Sequence, residues 1–306
     1  MSAYPYNRPD NHPSMSFLYL LITVLFSAIV FSLLGLGLGV VIFGGDVMQI
    51  GFKGFTELTE DELNFISVSQ VFSAIGTFVV PALLLNRIEK NKEPYFNLSF
   101  PTNAKLYAVI FLLMLALYPF FELTILLNEK MHLPDFMKGV EQWMREKEDE
   151  TNALTHAFLT RQSFSGLFIN IFMIGMLAAV GEELLFRGCL QKILIKWLGN
   201  PHIAIWLTAA IFSAIHLQFY GFLPRMLIGA LCGYLYFFGR SIWLPIFAHF
   251  INNTSAVLVS FYLTRSGKSL DSFTFQLNEW PWAIVSLLVG LSVLFFYIRQ
   301  AKLSNN

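Results

Sequence analysis

Eight runs of predominantly apolar residues, each long enough to cross a bilayer as a helix, constrain this chain more than any other feature. They span residues 16–43, 67–85, 106–127, 164–190, 200–218, 222–239, 242–264 and 280–298. These runs occupy more than half of the 306 residues. Yet they hold only five charged side chains, Glu122, Glu182, Glu183, Arg187 and Arg225, of the 20 Lys+Arg and 20 Asp+Glu in the chain. The runs are continuous, as from Phe164 to Val180, and do not alternate as barrel strands do. Backbone groups in hydrocarbon must find partners within their own segment. The expected fold is all-α, a polytopic membrane protein of about eight transmembrane helices.

Composition narrows the rest. Charged residues are 13% of the chain, roughly half the ~25% usual in soluble domains, and apolar residues are 56%. High hydrophobicity with zero net charge excludes a disordered chain. The lack of a basic excess argues against nucleic acid as a partner. Two cysteines, Cys189 and Cys232, are too few for a disulfide framework or a four-cysteine zinc site, and both sit in apolar helices as expected core residues. The first apolar run follows a polar tail and exceeds a signal-peptide core, so it is expected to stay as a membrane helix.

The expected organisation is a polar tail (1–15), three N-terminal membrane helices (16–127), an extramembrane loop (128–162), four further helices (163–264), and a last helix with its tail (265–306). Within 128–162, Glu141, Arg145, Lys147 and Glu148 near Trp143 fit a solvated loop with a short helix, or an interfacial amphipathic helix. The Lys/Arg count of the connecting segments is eleven against nine in favour of both termini inside. The expected location is the bacterial cell (inner) membrane.

Charges inside membrane helices mark function by default. In Gly181-Glu182-Glu183-Leu184-Leu185-Phe186-Arg187-Gly188, adjacent residues point about 100° apart, whereas residues four apart share a face. Glu183 and Arg187 thus form an i,i+4 pair in the favoured order, and a structural ion pair explains them. Glu182 points elsewhere, with no partner on its own helix. His216 and His249 are the two histidines well inside apolar runs; His12, His132, His156 and His202 lie in loops or at edges. A turn near Gly199-Asn200-Pro201 would fold the fourth and fifth runs into a hairpin. Glu182/Glu183 and His216 are about equally far from that turn, so they would face one another, with Phe212 one helical turn from His216. His249 and Asn253 share a face four residues apart, while Asn252 points away and fits an interhelical hydrogen bond.

The order Glu-Glu-x-x-x-Arg (Glu182, Glu183, Arg187), Phe-x-x-x-His (Phe212, His216), His-x-x-x-Asn (His249, Asn253) resembles the CPBP family. These are the CAAX-protease-and-bacteriocin-processing, or Abi, intramembrane proteases, related to type II CAAX prenyl endopeptidases. The resemblance covers about residues 160–260 and leaves the first three runs unspecified. It implies that Glu182 activates water with help from His216, that His249 and Asn253 hold the oxyanion, and that Glu183 and Arg187 fix the helix, with Phe212 supporting. It further implies a peptide or membrane-protein substrate met in the lipid bilayer. The substrate would be a CAAX-like, bacteriocin-type or membrane-protein segment. Physical chemistry agrees: a carboxylate in a low-dielectric site suits a general base, and an imidazole and an amide can donate to an oxyanion. Zinc is either present, with Glu182, His216 and His249 as candidate ligands, or absent; no His-Glu-x-x-His motif occurs.

Two other classes stay open on sequence alone. An ion- or proton-coupled transporter also uses intramembrane acids. Glu122, after Pro119 and expected opposite Arg225, suits that reading best, although no inverted repeat is visible. An immunity or scaffold protein would need no chemistry. A rhomboid-type serine protease is discounted, because no Gly-x-Ser-Gly motif lies in a run. The oligomeric state is not legible.

Overall fold

The computed structural model describes residues 11–50, 58–89, 95–96, 98–101, 103–270 and 276–304. Among them nine helices are connected by turns and short 3-10 segments, with no strand. We number them α1 (Pro13–Phe43), α2 (Glu60–Ile88), α3 (Lys105–Glu129), α4 (Lys138–Leu159), α5 (Phe164–Leu198), α6 (Pro201–Ala214), α7 (Phe222–Gly239), α8 (Trp243–Arg265) and α9 (Trp280–Ser304). The chain is an all-α, multi-pass membrane protein.

Local sequence sets the helix ends. Pro13 opens α1 behind the His12 cap. Thr59 and Glu62 make a reciprocal capping box on α2, which satisfies two otherwise unpaired donors. Gly199 adopts φ 67° to close α5, and Asn200 caps α6, with Pro201 in its first turn. The outward faces remain apolar, with Phe26 68% and Phe295 71% exposed, as lipid-facing surfaces require. In α3, the Ser286 hydroxyl from α9 enters the helix ladder beside Pro119. It accepts from the Phe120 amide (3.2 Å) and donates to the Ala116 carbonyl (2.5 Å). A kinked membrane helix must have its freed groups paired in this way.

Seven of the helices are long and apolar enough to cross a membrane. The expected eighth, 200–218, is α6, and it has only 14 residues. At 1.5 Å per residue it reaches ~21 Å, short of the ~30 Å hydrocarbon core. It stops because the chain turns at Ile215 and His216, and Leu217 takes a left-handed φ of 54°. The segment 128–162 also differs from a loop with a short helix. It carries α4, a 22-residue helix, uninterrupted because no Gly or Pro follows Gly139 until α5 begins.

The core has two main clusters. One packs Leu85 of α2, Leu185, Phe186 and Cys189 of α5, and Phe212 of α6. The other packs Ile110 and Leu113 of α3, Leu235 and Cys232 of α7, Ala248 of α8 and Tyr297 of α9. Both cysteines are buried and unbridged. α5 contributes to the first cluster and carries the acidic pair.

Candidate active site

The acids stand where α5 changes its winding. Residues Ala178–Glu183 are α-helical, and wider π turns flank them at Ile171–Leu177 and Leu184–Leu190. π turns leave the ordinary hydrogen-bond register and often accompany functional sites. Gly181 lets α2 approach closely: a Cβ there would lie 2.9 Å from the Phe78 Cβ.

Glu183 and Arg187 form the expected pair. Arg187 Nη1 donates to Glu183 Oε1 at 2.9 Å, with side-chain exposures of 1% and 0%. Arg187 Nη2 reaches the Gly229 carbonyl of α7 at 2.7 Å. Gly229 leaves room for this approach: an added Cβ would lie 3.3 Å from Nη2 and 3.2 Å from the Phe212 ring, so its neighbours would have to give by a few tenths of an ångström. The guanidinium also sits 4.9 Å over that ring. Two buried atoms of the pair, Glu183 Oε2 and Arg187 Nε, have no hydrogen-bond partner.

His249 enters between the two acids. Its Nδ1 donates to Glu183 Oε1 at 2.8 Å, and its Nε2 stands 3.7 Å from Glu182 Oε2. The nearest partner of Glu182 therefore comes from α8, at a distance too long for a hydrogen bond. Glu182 accepts no hydrogen bond among the described residues, and its side chain keeps 11% exposure where Glu183 has none. The adjacent acids thus have different environments: one locked, one open.

His216 lies just past the end of α6. Its Nδ1 is 2.7 Å from the Phe212 carbonyl. A carbonyl only accepts, so Nδ1 carries the proton and a neutral ring keeps Nε2 as its acceptor. Phe212 links the constellation. Its ring meets His216 at 5.0 Å, Phe186 at 5.1 Å and His249 at 6.0 Å, all edge to face. No hydrogen bond joins His216 to either acid among the described residues. The hairpin expected from the sequence does bring the helices alongside, with Phe212 and His249 filling the space between.

Asn253 does not share a target with His249. Its Nδ2 donates to the Ile174 carbonyl at 2.9 Å, in the π turn before the acids. Asn252 donates to Asn253 Oδ1 at 3.2 Å, so its bond is within α8 and not between helices. Glu122 lies beside Tyr118 and Glu129, whereas Arg225 is bonded to Gln218; the two are not opposite one another. The Gly229 and Ile174 carbonyls were invisible to sequence reading, since any residue has a carbonyl. Arg225 was visible as a membrane cation, but its partner was not.

A metal needs three protein ligands converging on one point. Among the described residues no group of three or more His, Cys, Asp or Glu side chains is placed to hold one. Glu182 and His249 approach each other, but His216 is not grouped with them, and His249 Nδ1 is occupied by Glu183. The ligand set as it stands does not fit zinc.

Residues 164–255, which carry Glu182, Glu183, Arg187, Phe212, His216, His249 and Asn253, match the family model described as "Type II CAAX prenyl endopeptidase Rce1-like". The match spans less than a third of the chain and is to the same group of proteins that the three motifs resemble. The uncharacterized protein YpbD of Bacillus subtilis (strain 168) is 33% identical over 86 residues. That alignment covers 27% of this chain and 41% of the length of YpbD. No solved structure matches.

Proposed function

We propose that this chain is an intramembrane endopeptidase of the bacterial cell membrane that hydrolyses a peptide bond with a glutamate-activated water. The observation that carries the reading is the contrast within the acid pair. Oε1 of Glu183 accepts from both Arg187 and His249, while Glu182, also buried but with 11% of its side chain exposed, accepts no hydrogen bond among the described residues. A carboxylate left unbonded beside an imidazole is suited to take a proton from water. Glu182 is the base. His216, whose Nε2 is the free acceptor in the neutral ring, assists it. As water attacks, the new C–O bond forms, the proton passes to Glu182, and charge develops on the carbonyl oxygen; as that oxyanion collapses the C–N bond breaks and Glu182 returns the proton to the leaving amine. The second N–H of the Asn253 amide, together with His249 Nε2 when that ring carries a second proton, is the donor set for that oxyanion. Arg187, Glu183 and Phe212 hold the ring of His249 and the backbone of α5. No step is routed through zinc, because Glu182, His216 and His249 do not converge as a zinc ligand set among the described residues. Substrates are peptide segments presented in the bilayer, whether CAAX-like, bacteriocin-type or from a membrane protein.

The test uses purified full-length protein in detergent with a prenylated CAAX peptide and a panel of membrane-derived peptides. Wild type should cleave at least one peptide. Glu182→Gln and His216→Ala should lose cleavage while keeping the melting transition. Cleavage by Glu182→Gln at the wild-type rate refutes the assignment. Ion conduction or solute movement by wild type, without cleavage, supports the transporter class instead. Chelation should leave the rate within twofold; a loss restored by zinc overturns the metal-free mechanism.

A further inference from the structure

His216 sits in a turn, and turns do not hold side chains rigidly unless something fastens them. The break between α6 and α7 runs from Ile215 to Gly221. It contains Leu217 at φ 54°, a conformation that residues other than Gly rarely adopt and keep only when their surroundings impose it. Side chains of three helices fasten the turn on either side of it. Ser213 Oγ of α6 donates to the Phe222 carbonyl at 2.7 Å. Asn128 of α3 brackets the turn, donating to the Phe219 carbonyl (3.1 Å) and accepting from the Leu223 amide (2.7 Å). Glu148 of α4 accepts from the Tyr220 amide at 2.7 Å.

The centre of this arrangement is Gln218, two residues after His216. Its side-chain oxygen accepts from Arg225 Nη2 at 2.6 Å, and its backbone carbonyl accepts from Arg225 Nη1 at 3.3 Å. Its amide nitrogen donates to Asn152 of α4 at 3.0 Å. Arg225 forms no ion pair among the described residues; both of its hydrogen bonds go to this one neutral residue. A guanidinium in a membrane helix is costly and is retained for a reason. A forked donor that grips both a side chain and its own backbone carbonyl fixes position in a way a point charge does not.

We propose that Arg225 and Gln218 form a clamp, fastened to α4 through Asn152, that positions His216 for catalysis. This rests on the reading that His216 assists the base. Arg225 and Gln218 are positioning residues: they act through His216. The amphipathic helix α4 is then part of the enzyme's working frame, since it anchors the turn from outside the α6–α7 hairpin.

A kinetic double-mutant cycle tests it, on full-length protein and a peptide that wild type cleaves. Gln218→Leu and Arg225→Gln should each lower kcat by roughly 30- to 100-fold with KM within threefold, the scale of an ångström's misplacement of a catalytic group. Because both changes release one clamp, the double variant should fall no more than about threefold below the weaker single variant. Arg225→Lys, which keeps the charge and loses the fork, should fall with them. Should the Arg225 variants fold poorly, Gln218→Leu, which removes no charge, decides alone. Normal kcat in Gln218→Leu, or wild-type activity in Arg225→Lys, overturns the clamp. Multiplicative losses in the double variant overturn it as well. A His216→Ala variant as active as wild type, or a wild type that cleaves nothing, overturns the underlying reading instead.

Discussion

Removing Arg187 should be among the most damaging single changes in this protein, and the structure sets the scale. Its guanidinium is 1% exposed and makes two hydrogen bonds, to Glu183 Oε1 and to the Gly229 carbonyl, while covering the Phe212 ring. In Arg187→Met, Glu183 is left as a fully buried carboxylate with only His249 Nδ1 as a donor. Breaking a buried pair from one side costs about 3–5 kcal/mol, and the lost contacts to Gly229 and Phe212 place this case toward the upper end. Glu183→Gln keeps an acceptor for the guanidinium and should cost less. The double variant, Glu183→Gln with Arg187→Met, leaves no unpaired charge and should recover about 2 kcal/mol or more of the Arg187→Met loss. Denaturant unfolding of the purified protein in mixed micelles measures all three against wild type. A loss under about 1 kcal/mol in Arg187→Met would refute the reasoning. So would a double variant no more stable than Arg187→Met, because either result means the buried charges do not depend on each other.

Two further predictions concern the surroundings of the site. Asn253→Ala removes the bond to the Ile174 carbonyl and should cost about 1 kcal/mol of stability, the scale of a polar contact between membrane helices; a loss above about 3 kcal/mol would show that the bond holds the π turn. On α4, Arg145, the Leu133 amide and His132 hold the Glu141 carboxyl well below its usual range, to about 2. A depressed carboxylate contributes fully above its unfolded value and loses that contribution as pH falls through the folded one. Protection of the Leu133 amide against hydrogen exchange should therefore hold down to about pH 4.5 and decay as pH approaches about 2. Decay complete by pH 4 would contradict the network.

How much of the site was legible depended on what each residue's partner was. Glu183 and Arg187 share a helix, so the i,i+4 rule found them. The open character of Glu182 followed from the same geometry, since its neighbour's partner was taken. Counting residues from Gly199 suggested that His216 would face the acids; in the structure it meets Phe212, and it bonds to neither acid among the described residues. The approach of His249 to Glu183 could not be found this way, because 66 residues separate them and no periodicity relates α5 to α8. The π turns were equally hidden: a shift of one hydrogen bond in the ladder leaves no compositional trace. α6 was read as a full span because Ile215 and Leu217 extend its apolar run past the point where the backbone turns.

The sequence by itself determined that this chain lives in a bilayer as helices, because continuous apolar runs leave the backbone no other way to pair its polar groups. It also determined which few side chains stand out as exceptions there, since each charged or polar group in hydrocarbon must be accounted for. What only the tertiary structure decided was who meets whom across helices. Helix packing aligned His249 with Glu183 and Asn253 with the Ile174 carbonyl. Those pairings turn on a few ångströms of rotation and register between helices, which packed side chains set and local sequence does not encode.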